Sequence, residues 1–211
     1  MSINKSNLDD VQFLLNNKFP KAKLLIVTKT RSIIDIKQLI RSGISFFGEN
    51  RLQEAENKFS NIENRENLSL HLIGPLQTNK VKKALMLFDC IQTIDRKKLI
   101  DEIFKYKDNI GIRTKSFYIQ VNIGAEEQKS GINKDNLQNL YNYCQIMKIQ
   151  IEGLMCIPPN NVDPTPFFQK MVSLRDSIDQ SLKLSMGMSN DYKIALDNGS
   201  NLIRVGSYIF K

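Results

Sequence analysis

A lysine that follows an apolar strand is the residue in this chain with the clearest potential for chemistry. The run Leu-Leu-Ile-Val at 24–27 ends in Thr28-Lys29-Thr30, and a helical pattern begins at Ile33. An ammonium group at the end of a buried strand must be solvated, paired, neutralised or used covalently. Used covalently, the amine forms an imine with a carbonyl carbon, and Lys29 is therefore our first candidate binding residue.

Two segments near the C-terminus have the composition of an anion site. Ser-Met-Gly-Met-Ser at 185–189 is expected to run from a short strand into a helix, and Arg-Val-Gly-Ser at 204–207 ends the last strand. Small residues, hydroxyl groups and free backbone N–H groups suit a phosphate. The chain has neither a Walker motif nor a G-x-G-x-x-G sequence, which disfavours nucleotides. A phosphate site opposite a strand-end lysine indicates a phosphorylated aldehyde, of which pyridoxal phosphate (PLP) is the commonest.

Regular alternation of strands and helices has to position these residues. Helical spacing predicts a first helix over about 5–19, and apolar runs predict strands at 23–28, 44–47, 68–73, 90–94, 117–122, 149–155, 182–185 and 202–205. Such alternation indicates a parallel sheet, and eight units favour a closed α/β barrel, the (β/α)8 TIM barrel, over an open sheet. We expect one domain over 1–211, since no linker or low-complexity segment interrupts it.

The candidate residues fall at the predicted C-terminal ends of the strands, where such barrels have their sites. Glycines there have an alternative role as tight turns, and Asp95 is a plausible N-cap of the helix after the fourth strand. The rim residues are Lys29, Gly48, Glu49, Asn50, Gly74, Asp95, Asn122, Ser185, Gly187, Ser189, Arg204, Gly206 and Ser207.

Three basic residues need to be interpreted individually. Arg204 is either a salt-bridged rim residue or a guanidinium against the pyridine nitrogen of the cofactor, where a permanent cation would discourage ring protonation. His71, between Leu70 and Leu72, is predicted to be buried and hydrogen-bonded. Lys129 is either a solvated loop residue or a second amine near the rim.

Composition and residue spacing disfavour several other classes of protein. The net charge of +8 taken alone suggests nucleic acid, but the basic residues are scattered rather than gathered in one run. Three widely spaced cysteines and a single histidine disfavour a disulfide framework, a metal site and a Ser-His-Asp triad. With no apolar run of membrane-spanning length and no signal-peptide pattern, we expect a cytoplasmic protein.

Taken together, the motifs resemble those of the pyridoxal phosphate homeostasis protein family, whose members look like the barrel domain of alanine racemase standing alone. The similarity runs in order from about Leu24 to Phe210. Its most specific parts are Gly-Glu-Asn-Arg-Leu-Gln-Glu at 48–54 and Ser-Met-Gly-Met-Ser at 185–189. The other matching segments are 27–30, 71–80, 120–123, 129–131, 153–155 and 203–207.

The resemblance assigns roles to individual residues. It implies that Lys29 carries the imine, that Asn50 lies beside the cofactor, and that Arg204 meets the ring nitrogen. It implies that Lys129 matches a loop lysine suspected of receiving the cofactor during transfer. The residues that it implies around the phosphate are Ser185, Gly187, Ser189, Gly206 and Ser207.

The chain departs from the family pattern in three places. Thr28 replaces the usual serine before the lysine, and Leu70 replaces the usual tryptophan before His71. The chain ends at Phe210-Lys211, where relatives continue with a glycine and a short basic-aromatic tail. We therefore expect a looser rim near Ser207.

The function that this resemblance implies is a carrier and buffer. The protein would hold PLP as an imine on Lys29, without turnover of its own, and release it to PLP-requiring apo-enzymes. The alternative is a PLP-dependent amino-acid racemase of low activity, although the second acid/base of alanine racemase comes from a domain that this chain lacks. A third hypothesis, a basic nucleic-acid binder, predicts salt-sensitive binding. We expect a monomer that binds neither nucleic acid nor membranes and holds no metal.

Overall fold

The computed structural model describes residues 3–210; Met1, Ser2 and Lys211, which bound the predicted 1–211 domain, lie outside the described residues. Its centre is a closed barrel of eight parallel strands that pair in chain order, with the first strand also paired to the last. The strands are β1 (Lys23–Val27), β2 (Phe46–Glu49), β3 (Ser69–Leu72), β4 (Cys90–Ile94), β5 (Ser116–Val121), β6 (Ile151–Cys156), β7 (Lys183–Met188) and β8 (Leu202–Val205).

Helices surround the barrel and bury one apolar face each against it. Within residues 3–210 they are α1 (Lys5–Lys18), α2 (Ile33–Arg41), α3 (Leu52–Phe59), α4 (Val81–Leu87), α5 (Lys97–Tyr106), α6 (Leu137–Ile146), α7 (Thr165–Ile178) and α8 (Tyr192–Asp197). The predicted (β/α)8 barrel is thus confirmed. None of the helices in this part of the chain is long and apolar enough to cross a membrane.

The first and last described segments of the chain lie at the same side of the barrel. A hydrogen-bonded turn over 206–210 follows β8, and two asparagines at the start of α1 hold it. The backbone N–H of Asn4 donates to the carbonyl of Ile209 at 2.8 Å, and Nδ2 of Asn7 donates to the carbonyl of Tyr208 at 2.7 Å. The start of α1 therefore supports the turn that follows β8.

Strand β7 is longer than predicted. Pairing of β7 with β8 continues through a register shift between Ser185 and Met188, so most of the Ser-Met-Gly-Met-Ser segment is strand. Gly187 has a φ of +93°, a conformation that L side chains rarely adopt, and it allows the strand to continue through this irregularity. The serine and glycine made the segment look like a loop.

The predicted N-cap at Asp95 is wrong. The N-cap of α5 is Arg96, which has extended backbone angles and makes no side-chain capping bond. The Asp95 carboxylate instead accepts a hydrogen bond from Nη1 of Arg96. The carboxylate thus pairs with the neighbouring guanidinium rather than with the first turn of the helix.

A capping box fixes the start of α2 directly after the Lys29 segment. Oγ of Ser32 accepts from the backbone N–H of Asp35 at 3.2 Å, and the Asp35 carboxylate accepts from the backbone N–H of Ser32 at 3.1 Å. These reciprocal bonds satisfy two amides that an uncapped helix would leave without partners. The short connection between β1 and α2 is therefore held at its helical end.

Candidate functional site

One pocket of about 760 Å³ opens at the C-terminal ends of the strands. It brings together residues from both ends of the chain, which meet because β1 pairs with β8. The loop after β6, which includes Pro158 and Pro159, forms one wall. Six predicted cofactor-binding residues line the pocket: Lys29, Asn50, Ser189, Arg204, Gly206 and Ser207.

Lys29 is exposed and lines the pocket, although the sequence suggested a lysine at a buried position. It lies two residues past the end of β1, so its side chain is beyond the packed part of the strand. Within residues 3–210 its amine has no hydrogen-bond or ion-pair partner. The amine is therefore open to a ligand.

The residues on either side of Lys29 are held by an ion cluster that sequence reasoning did not identify. Nζ of Lys58 donates to the carbonyl of Thr28 at 2.7 Å, to Oε1 of Glu49 at 2.9 Å and to Oε1 of Glu54 at 2.6 Å. Oγ1 of Thr28 also donates to Oε1 of Glu49, at 2.7 Å. The backbone N–H of Thr30 donates to Oε1 of Glu54. We call Glu49, Glu54 and Lys58 the ion cluster.

The backbone at Thr30 has an unusual conformation. Its φ is +61°, in the left-handed region that β-branched residues rarely enter. Conformations of this kind cost on the order of 1–3 kcal/mol and persist where surrounding contacts hold them, often at functional sites. The bond from Thr30 to Glu54 is such a contact, and it fixes the direction in which the chain leaves Lys29.

The two carboxylates of the ion cluster have opposite shifts in pKa. Burial raises the pKa of Glu49, although the bonds from Lys58 and Thr28 oppose that effect, and Oε2 of Glu49 is buried without a hydrogen-bond partner. Burial is also the largest single effect on Glu54 and would raise its pKa, but the bonds from Lys58 and from the backbone of Thr30, together with the nearby positive charges, outweigh it and lower the pKa. The negative charge is therefore less favourable on Glu49, at the inner end of the cluster, than on Glu54.

Ser189 organises the side of the pocket that is suited to phosphate. Its Oγ accepts from the backbone N–H groups of Gly206 and Tyr208, at 3.2 and 3.3 Å. Both lone pairs of the hydroxyl are then occupied, so its O–H is left to donate. Ser189, Gly206 and Ser207 all line the pocket, and together they form a cradle of small groups with donors.

The turn behind this cradle is well supported. Phe210 is buried, and the Arg31 guanidinium lies 4.7 Å from the centre of its ring. A short antiparallel bridge joins Ile3 to Phe210. These contacts argue against the looser rim near Ser207 that the short C-terminus led us to expect.

Arg204 is the buried cation of the pocket. Only 3% of its surface is exposed; Nη1 donates to Oγ of Ser185 at 2.8 Å, and Nη2 donates to the carbonyl of Cys156 at 2.8 Å. Burial lowers the pKa of Arg204. No carboxylate in the described chain forms an ion pair with it, so the salt-bridged alternative does not hold.

Arg204 is the last member of an interior polar chain that crosses the barrel. Oγ of Ser185 donates to Oε1 of Gln92 at 2.6 Å, and Nε2 of Gln92 lies 2.7 Å from Nδ1 of His71. Nε2 of His71 lies 2.9 Å from Oγ of Ser69. Burial lowers the pKa of His71 to about 4, so the ring is neutral near pH 7. The predicted buried, hydrogen-bonded histidine is confirmed.

Two of the predicted phosphate residues do not line the pocket. Ser185 is fully buried in β7 and both of its bonds are within the interior polar chain. At Gly187 a Cβ atom would lie 2.5 Å from Cβ of Ala195, so this glycine allows α8 to pack closely on β7. The structure gives both residues supporting positions behind the pocket.

Gly74 also has a role other than a tight turn. A Cβ atom there would lie 2.1 Å from the carbonyl oxygen of Asn50. The absence of a side chain lets the end of β3 approach the backbone of Asn50, which lines the pocket. This close contact sets the position of Asn50.

Lys129 lies behind the pocket wall rather than in it. Its Nζ pairs with Oε2 of Glu126 at 2.6 Å and donates to the carbonyl of Pro158 at 3.1 Å. Pro158 lines the pocket, whereas Lys129 does not. In this arrangement Lys129 supports the wall, and its suspected part in transfer remains a prediction.

Comparisons with known proteins agree with the fold and identify the family. The alanine racemase N-terminal domain family matches residues 4–211. The pyridoxal phosphate homeostasis protein of Aquifex aeolicus (strain VF5) is 38% identical over 200 residues, covering 90% of this chain and 86% of the relative. The Pasteurella multocida (strain Pm70) protein of the same name is 36% identical, covering 89% and 85%.

Solved structures include a relative with the cofactor present. PipY of Synechococcus elongatus, with PLP bound, is 30% identical, has a TM-score of 0.84 and is matched over 97% of this chain and 100% of its own. Alanine racemase of Clostridium difficile 630, 13% identical with a TM-score of 0.77, shares the fold over 98% of this chain and 56% of its own.

The fold and site define a barrel protein of the alanine racemase N-terminal-domain class. Within that class, the chain belongs to the pyridoxal phosphate homeostasis protein family.

Proposed function

We propose that this protein binds PLP reversibly at Lys29 and serves PLP homeostasis as a carrier without turnover of its own. One observation carries the proposal: an unpartnered lysine amine lines the same pocket as a cradle of serine and glycine. PLP has an aldehyde and a phosphate, and the pocket offers a group suited to each. The Synechococcus relative with PLP bound supports the choice of ligand.

When bound, PLP would supply an aldehyde, and the amine of Lys29 would hold it through a C=N bond, with release of water. The residues of the chain hold the remaining parts of the molecule. We assign the phosphate to Ser189, Gly206 and Ser207, the ring nitrogen to Arg204, and a position beside the ring to Asn50. Ser185 and Gly187 support these residues from behind. A permanent cation at Arg204 would disfavour protonation of the ring nitrogen and would make the ring a poor electron sink.

The titratable residues of the pocket favour a carrier over a racemase. In the described chain, the ionisable side chains that line it are Lys29, Asp191 and Arg204. Asp191 already accepts a hydrogen bond from the backbone N–H of Met188 at 2.5 Å. Two-base racemisation needs a second acid/base group on the cofactor face opposite the lysine, and no tyrosine, histidine or cysteine of the described chain lines the pocket.

Partners, location and assembly complete the proposal. We infer that the protein releases PLP to PLP-requiring apo-enzymes in the cytoplasm and acts as a monomer formed by one domain over 1–211. We infer no binding of nucleic acid at physiological salt, since the basic residues are spread over the helices. Light scattering at low concentration tests the monomer, and a dimer mass would contradict it.

A titration with PLP, followed by visible absorbance, tests the function directly. We expect saturable formation of a chromophore in the wild type and in Lys129→Met, and none in Lys29→Ala. The same preparations should not racemise alanine. Lys29-dependent racemisation would support the enzyme instead, and a wild type that forms no chromophore would refute PLP binding.

A further inference from the structure

We propose that the ion cluster of Glu49, Glu54 and Lys58 is a positioning device that presents the amine of Lys29 to the pocket. The inference rests on the proposed function, because it concerns how the PLP-binding lysine is held. None of the three residues lines the pocket. Their effect would pass through the backbone on both sides of Lys29.

The cluster lies on the outer side of the barrel wall. Phe47 of β2 packs against Phe59 of α3, with ring centroids 5.6 Å apart, so this face of β2 points to the helix layer. Glu49 lies two residues further along and points the same way, since side chains alternate along a strand. The cluster therefore fills the space between β2 and α3, behind the pocket.

Contacts to both neighbours of Lys29 follow from this position. The side chain of Thr28 points outward to Glu49, while Lys29, the next residue, lines the pocket. On the other side, the backbone N–H of Thr30 donates to Glu54. Lys58 joins the two carboxylates and also holds the carbonyl of Thr28. The chain is thus held one residue before and one residue after the reactive lysine.

The ion cluster joins β2 to α3 at the cost of burying charged groups. The side chain of Glu49 is fully buried, that of Lys58 is 11% exposed, and Oε2 of Glu49 lacks a partner. Apolar residues of similar volume often stabilise a protein as well as a buried ion pair does. The ion cluster instead constrains geometry. The ammonium of Lys58 donates to acceptors on three different segments and so fixes their relative positions. That specificity, together with the left-handed Thr30, indicates a role at Lys29.

Two variants, one at the centre of the cluster and one at its outer end, test the proposal. Lys58→Met removes the central cation but leaves Glu49 buried without it, so this variant can lose its fold. Glu54→Ala releases Thr30 at the outer end, where the Glu54 side chain is 25% exposed, and keeps the Glu49–Lys58 pair. Lys105→Met is the matched control, because it removes another lysine–glutamate helix pair, with Glu102 on α5, away from the pocket.

The measurement is the rate at which borohydride traps an adduct on Lys29, mapped by mass spectrometry. It uses PLP and also pyridoxal, which lacks the phosphate. A small misplacement of a reacting group can cost up to about 100-fold in rate, and we expect Glu54→Ala and Lys58→Met to lose about tenfold with both aldehydes. Isothermal titration with inorganic phosphate should show affinity within about twofold of wild type in all variants that keep their melting temperature.

Each result has a distinct meaning. Slow trapping with intact phosphate affinity in Glu54→Ala supports the positioning role. Wild-type rates in Glu54→Ala, or an equal loss in Lys105→Met, would overturn it and leave the proposed function standing. A wild type that forms no adduct on Lys29 would overturn the proposed function and the positioning role with it.

Discussion

Nη1 of Arg204 and Oγ of Ser185 lie 2.8 Å apart inside the barrel, and this bond joins the cation of the pocket to the interior polar chain. Ser185 accepts from Arg204 and donates to Gln92, so its hydroxyl has little capacity left for a ligand. The orientation of the guanidinium therefore depends on residues that do not line the pocket.

Ser185→Ala should lower stability without changing phosphate binding. The substitution leaves Nη1 of Arg204 and Oε1 of Gln92 buried without a partner, at a cost of about 1–3 kcal/mol. Chemical denaturation measures the loss, and titration with inorganic phosphate measures the binding. An affinity for phosphate that falls about tenfold at unchanged stability would instead place Ser185 at the phosphate.

Ser189→Ala, in contrast to Ser185→Ala, should weaken phosphate binding. It removes an O–H donor from the pocket and the shared acceptor of the Gly206 and Tyr208 backbone N–H groups. We expect phosphate affinity to fall about tenfold, which corresponds to about 1.4 kcal/mol. Ser173→Ala, at an exposed serine of α7, is the control. Equal affinities in the two variants would exclude the cradle as the phosphate site.

The neutral His71 predicts how stability depends on pH. Its folded-state pKa of about 4 lies below the ordinary value of 6.5, so the unfolded chain binds the proton more readily. The contribution of His71 is fully present above pH 6.5 and is lost as the pH falls toward 4, at a total cost of about 3 kcal/mol. Urea unfolding between pH 4 and 7 should show this slope in the wild type and a smaller one in His71→Gln. If the free energy of unfolding had the same pH dependence in the wild type and in His71→Gln, His71 would not titrate as the structure requires.

Gly187 and Gly199 form a matched pair for testing close packing. Both have positive φ, +93° and +83°, but a Cβ atom meets Ala195 at the first position and nothing within 4 Å at the second. Gly199→Ala should cost about 1–2 kcal/mol, the price of the left-handed conformation alone. Gly187→Ala adds overpacking of about 1–3 kcal/mol. Thermal unfolding compares them, and equal losses would mean that α8 moves freely away from β7.

Much of the barrel could be predicted from the sequence because its strands are short apolar runs separated by helical patterns. The end of β7 could not, since Ser-Met-Gly-Met-Ser looks like a loop. The same expectation placed Ser185 in a rim loop, whereas the structure has it buried in β7, where alternate side chains point to opposite faces. The pairing of β7 with β8 shows that this segment is strand rather than loop.

The ion cluster was missed for a different reason. Glu54 and Lys58 have the i, i+4 spacing of an ordinary exposed helix pair, and that spacing was the one signal available. Their contacts with Glu49 and Thr28 depend on how α3 packs against β1 and β2. Such tertiary contacts leave no local pattern in the sequence.

The site of PLP attachment tests the central claim most directly. Wild-type protein is incubated with PLP, reduced with borohydride, digested and mapped by mass spectrometry, with Lys29→Arg as a variant that keeps the positive charge. We predict one modified peptide, with the label on Lys29, and no label in Lys29→Arg. A label on Lys129 or another lysine, or equal labelling of Lys29→Arg, would contradict the account.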